Sequence, residues 1–248
     1  RGALARNELH LNFQPIWDLA SDQISGLETL VRWHHPERGP ISPGEFIPVA
    51  EQTGLIQPLG DWILDEALRT VRPWLIQGLD LPLGLAVNIS PQQFSGADFE
   101  EGVRRKLEAS GFPADRLKLE ITESLLMQNL SVASDKIHRL CEAGITFAVD
   151  DFGTGYSSLA YLDQLPLEVL KVDRSFVQRI DQGESPGRII EAVLAMAKNL
   201  DLRVVAEGIE NEQQRSFLKS QGCDHGQGFL MSKPLPAAEV ARCFAAVD

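Results

Sequence analysis

A chain of 248 residues, 44% hydrophobic and 23% charged, carries enough apolar material for one sizeable core. Its net charge of −12 argues against coating a nucleic-acid polymer, which calls for clustered Lys and Arg. No run of about 18 apolar residues is present, and no secretory leader pattern opens the chain at Arg1.

Short β-rich runs alternate with longer amphipathic ones. The first run, LHLNFQPI at 9–16, is joined to the second, ISGLETLVRW at 24–33, only by residues 17–23. A parallel pair needs a crossover of about a dozen residues, whereas an antiparallel pair needs only a turn. The first strand is therefore expected to run antiparallel to the second. The Pro- and Gly-rich stretch from His34 to Pro48 reads as a loop over one barrel rim. His34 and His35 read as loop residues, not as a metal pair, because neighbours on an extended chain point apart.

A helix follows over 58–77, with Leu59, Ile63, Leu64, Ala67, Leu68 and Val71 at helical spacing. Then come LGLAVNI (83–89), a helix over 99–109, RLKLEIT (116–122), a helix over 130–143, ITFAVD (145–150) and LEVLKVD (167–173). A helix over 186–199, LRVVAEG (202–208), a helix over 211–220 and CDHGQGF (223–229) complete the series. The last two helices stop near Asn199 and Gly222, where helix stops belong. Eight strands alternating with helices favour a single TIM-like (β/α)8 barrel over 1–248, with the first strand antiparallel. Cys141, Cys223 and Cys243 are odd in number and widely spaced, which excludes a disulfide framework and predicts buried thiols in a reducing cytoplasm.

The polar residues fall at one end of these strands. They are Glu28, Asn88, Glu120, Asp150 with Asp151, Lys171 with Asp173, Glu207 and Gln227. In a β/α barrel the C-terminal strand ends converge on one face, where active sites sit. So many carboxylates side by side would repel and raise one another's pKa. Divalent cations resolve that conflict, and an all-oxygen donor set suits Mg²⁺ or Mn²⁺. Taken singly each residue has a bland reading: Asp150 and Asp151 as turn caps, Lys171 as a snorkelling lysine, Glu210 and Glu212 as helix-start acids. Repetition at the same end of successive strands favours the functional reading.

These residues lie in motifs that resemble the EAL-domain family, the cyclic di-GMP phosphodiesterases. Glu28-Thr29-Leu30 stands at the Glu-Ala-Leu position. FQPI (13–16), GEFIPVAEQTGLI (44–56), VNIS (87–90), LEITES (119–124), DDFGTGYSSL (150–159), KVDRSFV (171–177), VVAEGIE (204–210) and GQGFLMSKPLP (226–236) follow in the family's order. The resemblance implies hydrolysis of cyclic di-GMP to linear pGpG. It also implies two Mg²⁺ or Mn²⁺ ions, with Glu28, Asn88, Glu120 and Asp150 on one and Asp150 and Asp151 on the other. Glu207 is implied as general base and Lys171 as the group that orients the attacking water. Asp173, Glu210 and Gln227 complete the polar site, while Gln14, Leu30 and Arg32 contact substrate, Arg32 through phosphate. Glu123 is implied to hold the 150–159 loop, which links the site to a homodimer interface. An upstream GGDEF or sensory domain is implied too, and a cytoplasmic domain of a protein tethered to the inner membrane is compatible with it.

Thr29 replaces the family's Ala, and Phe229 and Met231 stand where Tyr and Phe are common, a difference that bears on guanine stacking. The competing readings are a cyclic di-GMP receptor without turnover, a Mg²⁺-dependent enolising barrel, and an interaction domain with a vestigial acidic cluster.

Overall fold

The computed structural model describes residues 2–128, 130–153, 159–181 and 187–245. In chain order the first half comprises strands β1 (Leu9–Asp18), β2 (Gln23–His35) and β3 (Gly39–Ile41), helices α1 (Pro43–Gln52) and α2 (Ile56–Ile76), strand β4 (Gly84–Asn88), helices α3 (Pro91–Ser95) and α4 (Phe99–Ser110), strand β5 (Leu117–Thr122) and helices α5 (Glu123–Gln128) and α6 (Leu130–Glu142). The second half comprises β6 (Thr146–Phe152), β7 (Val169–Val172), α7 (Arg174–Val177), α8 (Arg188–Asn199), β8 (Arg203–Ala206), α9 (Glu212–Ser220), β9 (His225–Gly226), β10 (Leu235–Pro236) and α10 (Ala237–Ala245).

Eight strands close a barrel. β2, β4, β5, β6, β7, β8 and β9 pair in parallel, each with the next. β1 fills the gap between β9 and β2, antiparallel to both. The short connection enforces this reversal. Asp18 Oδ1 accepts the N–H groups of Ala20 at 3.0 Å and Ser21 at 2.7 Å, and closes a tight turn. β3 and β10 add antiparallel pieces beside β2 and β1.

The stretch expected as a loop over 34–48 is ordered differently. β2 continues through His35, turns back as β3, and α1 begins at Pro43. The Pro and Gly residues mark a hairpin and a helix start there. Pro43 occupies the first helical turn, where its preset φ suits the helix and its missing N–H costs nothing. Phe46 and Ala50 bury the inner face of α1. His34 and His35 are thus strand residues, and His35 Nδ1 accepts the N–H groups of Glu37 and Arg38 in the hairpin turn. The short helices α3, α5 and α7 also escape the sequence reading, since four to six residues show no helical period, as does the nine-residue C-terminal α10.

Strand pleating sorts the barrel interior into three layers, because residues two apart share a face. Lys118, Thr146 and Arg203 form the lower layer, with the Lys118 ammonium on Thr146 Oγ1 and both Lys118 and Arg203 paired to Glu168. Ile16, Ala148, Val169 and Val205 form an apolar middle layer, each about 2% exposed or less. The candidate site residues form the upper layer. Outside, α2 covers the wall with Leu64, Ala67, Leu68 and Val71, all buried. The three cysteines are free, as their spacing requires. Cys223 is buried and its thiol is pushed up to about 12 by burial, but Cys243 is exposed, contrary to expectation, because it sits on the outer side of α10. No described helix is long and apolar enough to cross a membrane.

Candidate active site

Lys171, only 1% exposed, stands at the centre of the upper layer. Its Nζ lies 2.8 Å from Glu207 Oε1, 2.9 Å from Glu120 Oε2, 3.2 Å from Asp150 Oδ1 and 3.5 Å from Glu28 Oε1. Four strands, β2, β5, β6 and β7, and the end of β8 thus deliver one ammonium and four carboxylates to one point. Two amides complete the ring. Asn88 Nδ2 donates to Glu28 Oε1 at 3.0 Å, and Gln227 Nε2 donates to Glu28 Oε2 at 2.6 Å and to Glu207 Oε1 at 3.2 Å. Asp150, Asp151 and Glu207 each offer an oxygen within 4.8 Å of the others.

Local sequence explains the convergence. The β6 ladder is irregular between Val149 and Phe152, and Asp151 adopts φ +54°, a left-handed conformation that Asp tolerates better than most residues. The irregularity turns consecutive carboxylates towards the same mouth, which a regular strand would send to opposite faces. After β8 the chain passes so close to α7 that a Cβ on Gly208 (φ +70°) would lie 2.5 Å from Arg174 Cβ. A Cβ on Gly228 would lie 2.1 Å from the Ile209 carbonyl oxygen, so glycine lets the Gln227 segment pack against the Glu207 loop.

The electrostatics are those of a crowded anionic pocket. Burial pushes Glu207 up to about 8, with Lys171 opposing the rise and Asp150 and Glu28 adding to it. Burial also holds Glu120 well above the carboxylate range, against the pull of Lys171. Asp151 is raised by burial and by its neighbours Asp150 and Asp173. Burial alone would lower Lys171, but Asp150, Glu120, Glu207 and Glu28 outweigh it and hold the ammonium charged. One ammonium against five carboxyls leaves a net negative pocket, and Gln227 Oε1 is buried without a partner. An oxygen-only donor set with surplus negative charge and an unused buried acceptor fits a hard divalent cation.

The remaining predicted residues lie around this ring. Leu30 and Arg32 share the Glu28 face of β2 and are half-buried, with Arg32 Nη1 donating to the Val31 carbonyl at 2.9 Å. Thr29 points to the opposite face and is buried. Gln14 pairs in register with Glu28, and its amide donates to the Ser232 carbonyl at 3.2 Å. Asp173 caps α7 through the Ser175 N–H at 3.0 Å. Glu210 is exposed. Glu123, 3% exposed, accepts the Gly153 N–H at 3.3 Å. Residues 154–158 lie outside the described residues, and with them most of the loop assigned to a dimer interface. Phe229 is 60% exposed beside Lys233, whose Nζ is 5.7 Å from the ring centroid. Asp181, Asn211 and Gln214, which join the loops after β7 and β8, were not foreseen; the Asn-x-x-Gln spacing ahead of a helix was their one signal.

A β/α barrel with a reversed first strand and an acidic, lysine-centred cluster on its strand ends is the class these features define. The EAL domain model matches residues 1–234, and the chain belongs to the EAL domain family. It is 45% identical over 238 residues to cyclic di-GMP phosphodiesterase NbdA of Pseudomonas aeruginosa, covering 96% of this chain and 30% of that protein. It is 41% identical over 240 residues to the bifunctional diguanylate cyclase/cyclic di-GMP phosphodiesterase MucR of the same organism, covering 97% of this chain and 35% of that protein. The chain therefore spans about a third of the length of these relatives. The solved structure of the PaMucR phosphodiesterase in complex with c-di-GMP superposes with a TM-score of 0.93 at 41% identity, covering 97% of both chains.

Proposed function

We propose that this chain is a single phosphodiesterase domain, 1–248, of a longer protein, and that it hydrolyses one ester of cyclic di-GMP to give linear pGpG. The observation that carries the reading is the complete ring of Glu28, Asn88, Glu120, Asp150, Glu207 and Gln227 around Lys171. Glu28, Asn88, Glu120 and Asp150 would hold one Mg²⁺ or Mn²⁺, and Asp150 and Asp151 a second. Bound there, the cations supply positive charge for the phosphoryl oxygens and for acidifying water.

The chain's own groups do the rest. Glu207, held 2.8 Å from the Lys171 ammonium at the end of β8, is the carboxylate placed to take a proton from water. Lys171 fixes the Glu207 carboxyl from 2.8 Å and adds a charge that needs no reorganisation during reaction. Arg32, Gln14 and Leu30 line the approach on β1 and β2, where a phosphate and a base of the substrate would lie. Glu123 and the exposed Glu210 flank the site as supports of its loops. A homodimer through the 150–159 loop and an upstream GGDEF or sensory domain belong to the same proposal.

The test is incubation with cyclic di-GMP in Mg²⁺, Mn²⁺ or EDTA, with products resolved by chromatography. pGpG is expected in either metal and not in EDTA. Glu28→Ala and Asp150→Asn are each expected to abolish turnover. Full activity in either variant removes the ligand assignment, and binding without any product makes the chain a receptor.

A further inference from the structure

β8 ends at Ala206, and the Glu207 loop is anchored inwardly by three backbone bonds: Glu207 N–H to the Val172 carbonyl at 3.0 Å, Ile209 N–H to the Gln227 carbonyl at 3.1 Å and Leu230 N–H to the Ile209 carbonyl at 3.0 Å. On the outer side one buried side chain takes over. Gln214, 3% exposed, lies in the first turn of α9. Its Oε1 accepts the Glu210 N–H at 2.7 Å, and its own N–H donates to Asn211 Oδ1 at 2.9 Å. In an ordinary capping box the third helical residue bonds the N–H of the cap itself. Here Gln214 reaches one residue further, into the loop.

The other end of the same amide fixes its orientation. Gln214 Nε2 donates to Asp181 Oδ2 at 2.7 Å, and Asn211 Nδ2 donates to that same oxygen at 2.8 Å. Asp181 closes the 3-10 turn Gln178–Asp181, which follows α7 and so hangs from the strand of Lys171. One amide thus ties the loop after β8 to the segment after β7. Those two strands carry the pair Glu207 and Lys171, in contact at 2.8 Å. The Gln214 amide itself is buried, and with both of its ends bonded its orientation is fixed, although Asp181 and Glu210 reach the surface.

We infer that Gln214, clamped to Asp181, is a positioning residue that sets the Glu207 loop against the Lys171 segment; the inference rests on the phosphodiesterase reading of that site. Gln214→Met keeps the volume and removes both hydrogen bonds. Gln214→Glu alone faces the Asp181 carboxylate. The exchange Gln214→Glu with Asp181→Asn restores both side-chain bonds of position 214 with the amide and carboxylate interchanged and leaves the net charge unchanged, but it removes the acceptor of the Asn211 amide.

The full chain is assayed with cyclic di-GMP and Mg²⁺, and backbone amide exchange is followed in parallel with EDTA. In Gln214→Met and Gln214→Glu, kcat falls about 10- to 100-fold. KM changes by less than about threefold, and the double exchange recovers part of the kcat lost in Gln214→Glu. The Glu210 amide exchanges about tenfold faster in Gln214→Met at a temperature where both proteins are folded. Unchanged kcat in Gln214→Met, or no recovery of kcat in the double exchange over Gln214→Glu, overturns the positioning role. Unchanged Glu210 exchange overturns the clamp without reference to turnover. A parent chain that gives no pGpG condemns the reading of the site itself, a failure distinct from an active parent with an indifferent Gln214.

Discussion

Removing divalent cations should make the stability of this chain fall as pH rises from about 5 to about 8, and Glu207 should account for part of that fall. Its carboxyl sits at about 8 in the folded chain against an ordinary value of 4.5. A group whose folded pKa is raised adds stability that is complete below its unfolded pKa and is lost as pH rises through the folded value. At about 1.36 kcal/mol per pH unit the effect is bounded at about 5 kcal/mol. The side chain keeps 17% exposure, so water screens part of the cost, leaving about 2–3 kcal/mol.

Glu120 and Asp151, also raised, act in the same direction. Lys118, pulled down to about 7 by burial, gains stability as pH rises above 7, and His225, lowered by burial, does so up to its ordinary value of 6.5. The informative quantity is therefore the difference between the parent and Glu207→Gln, measured by urea denaturation in EDTA across pH 5–9. The variant should lack about 2–3 kcal/mol of the parent's decline. Parallel curves for the two proteins would refute the electrostatic account of this pocket. Added Mg²⁺ or Mn²⁺ should restore stability to the parent at pH 8, by mass action on the folded state.

Three further outcomes follow from the same geometry. Lys171→Met strands the buried Glu120 and should cost about 3–5 kcal/mol in EDTA at pH 8, partly returned on acidification, read from urea midpoints. Gly208→Ala places a methyl against Arg174 at a φ of +70° and should cost more than about 1 kcal/mol while lowering turnover with it, because Glu207 is the preceding residue. A thiol reagent on the native chain should label exposed Cys243 first and buried Cys223 last, with peptide masses giving the order.

Much of this arrangement is legible in the sequence, and the parts that are not have physical reasons. The reversed β1 follows from chain length alone, since residues 17–23 cannot span a crossover. The upper layer follows from polar residues recurring at strand ends. Lys118 is harder: LKLEIT places it on the same face as Glu120, but nothing local says that its partner is Glu168, just before β7 in the lower layer. Residues 34–48 misled because Pro43 and Gly39 are breakers in one context and starters in another, and only the pairing of Trp33 with Ile41 decides which. Gln214 reads as helix polarity until its bonds to Glu210 and Asp181 are known.

The reversed strand also determines which residues meet the rim of the site. In an all-parallel barrel the first strand starts on the face opposite the active site. Here β1 starts at the site's own rim, where Leu9 pairs with Trp33, and descends past Gln14, opposite Glu28. The residues before it are fastened to the same rim. Trp33 Nε1 donates to Glu8 Oε2 at 2.8 Å, and the His34 N–H donates to the Glu8 carbonyl at 2.9 Å. Arg32 lies between this anchor and the acidic ring, on the strand that carries Glu28. Glu8 is thus tied to the Trp33 end of β2, and β1 joins it to Arg32 and Glu28 as one hydrogen-bonded strand pair. An apolar middle layer and a separately paired lower layer stand between the site and the opposite face, so it is the rim side, where β1 begins, that packs directly on the strand carrying Glu28.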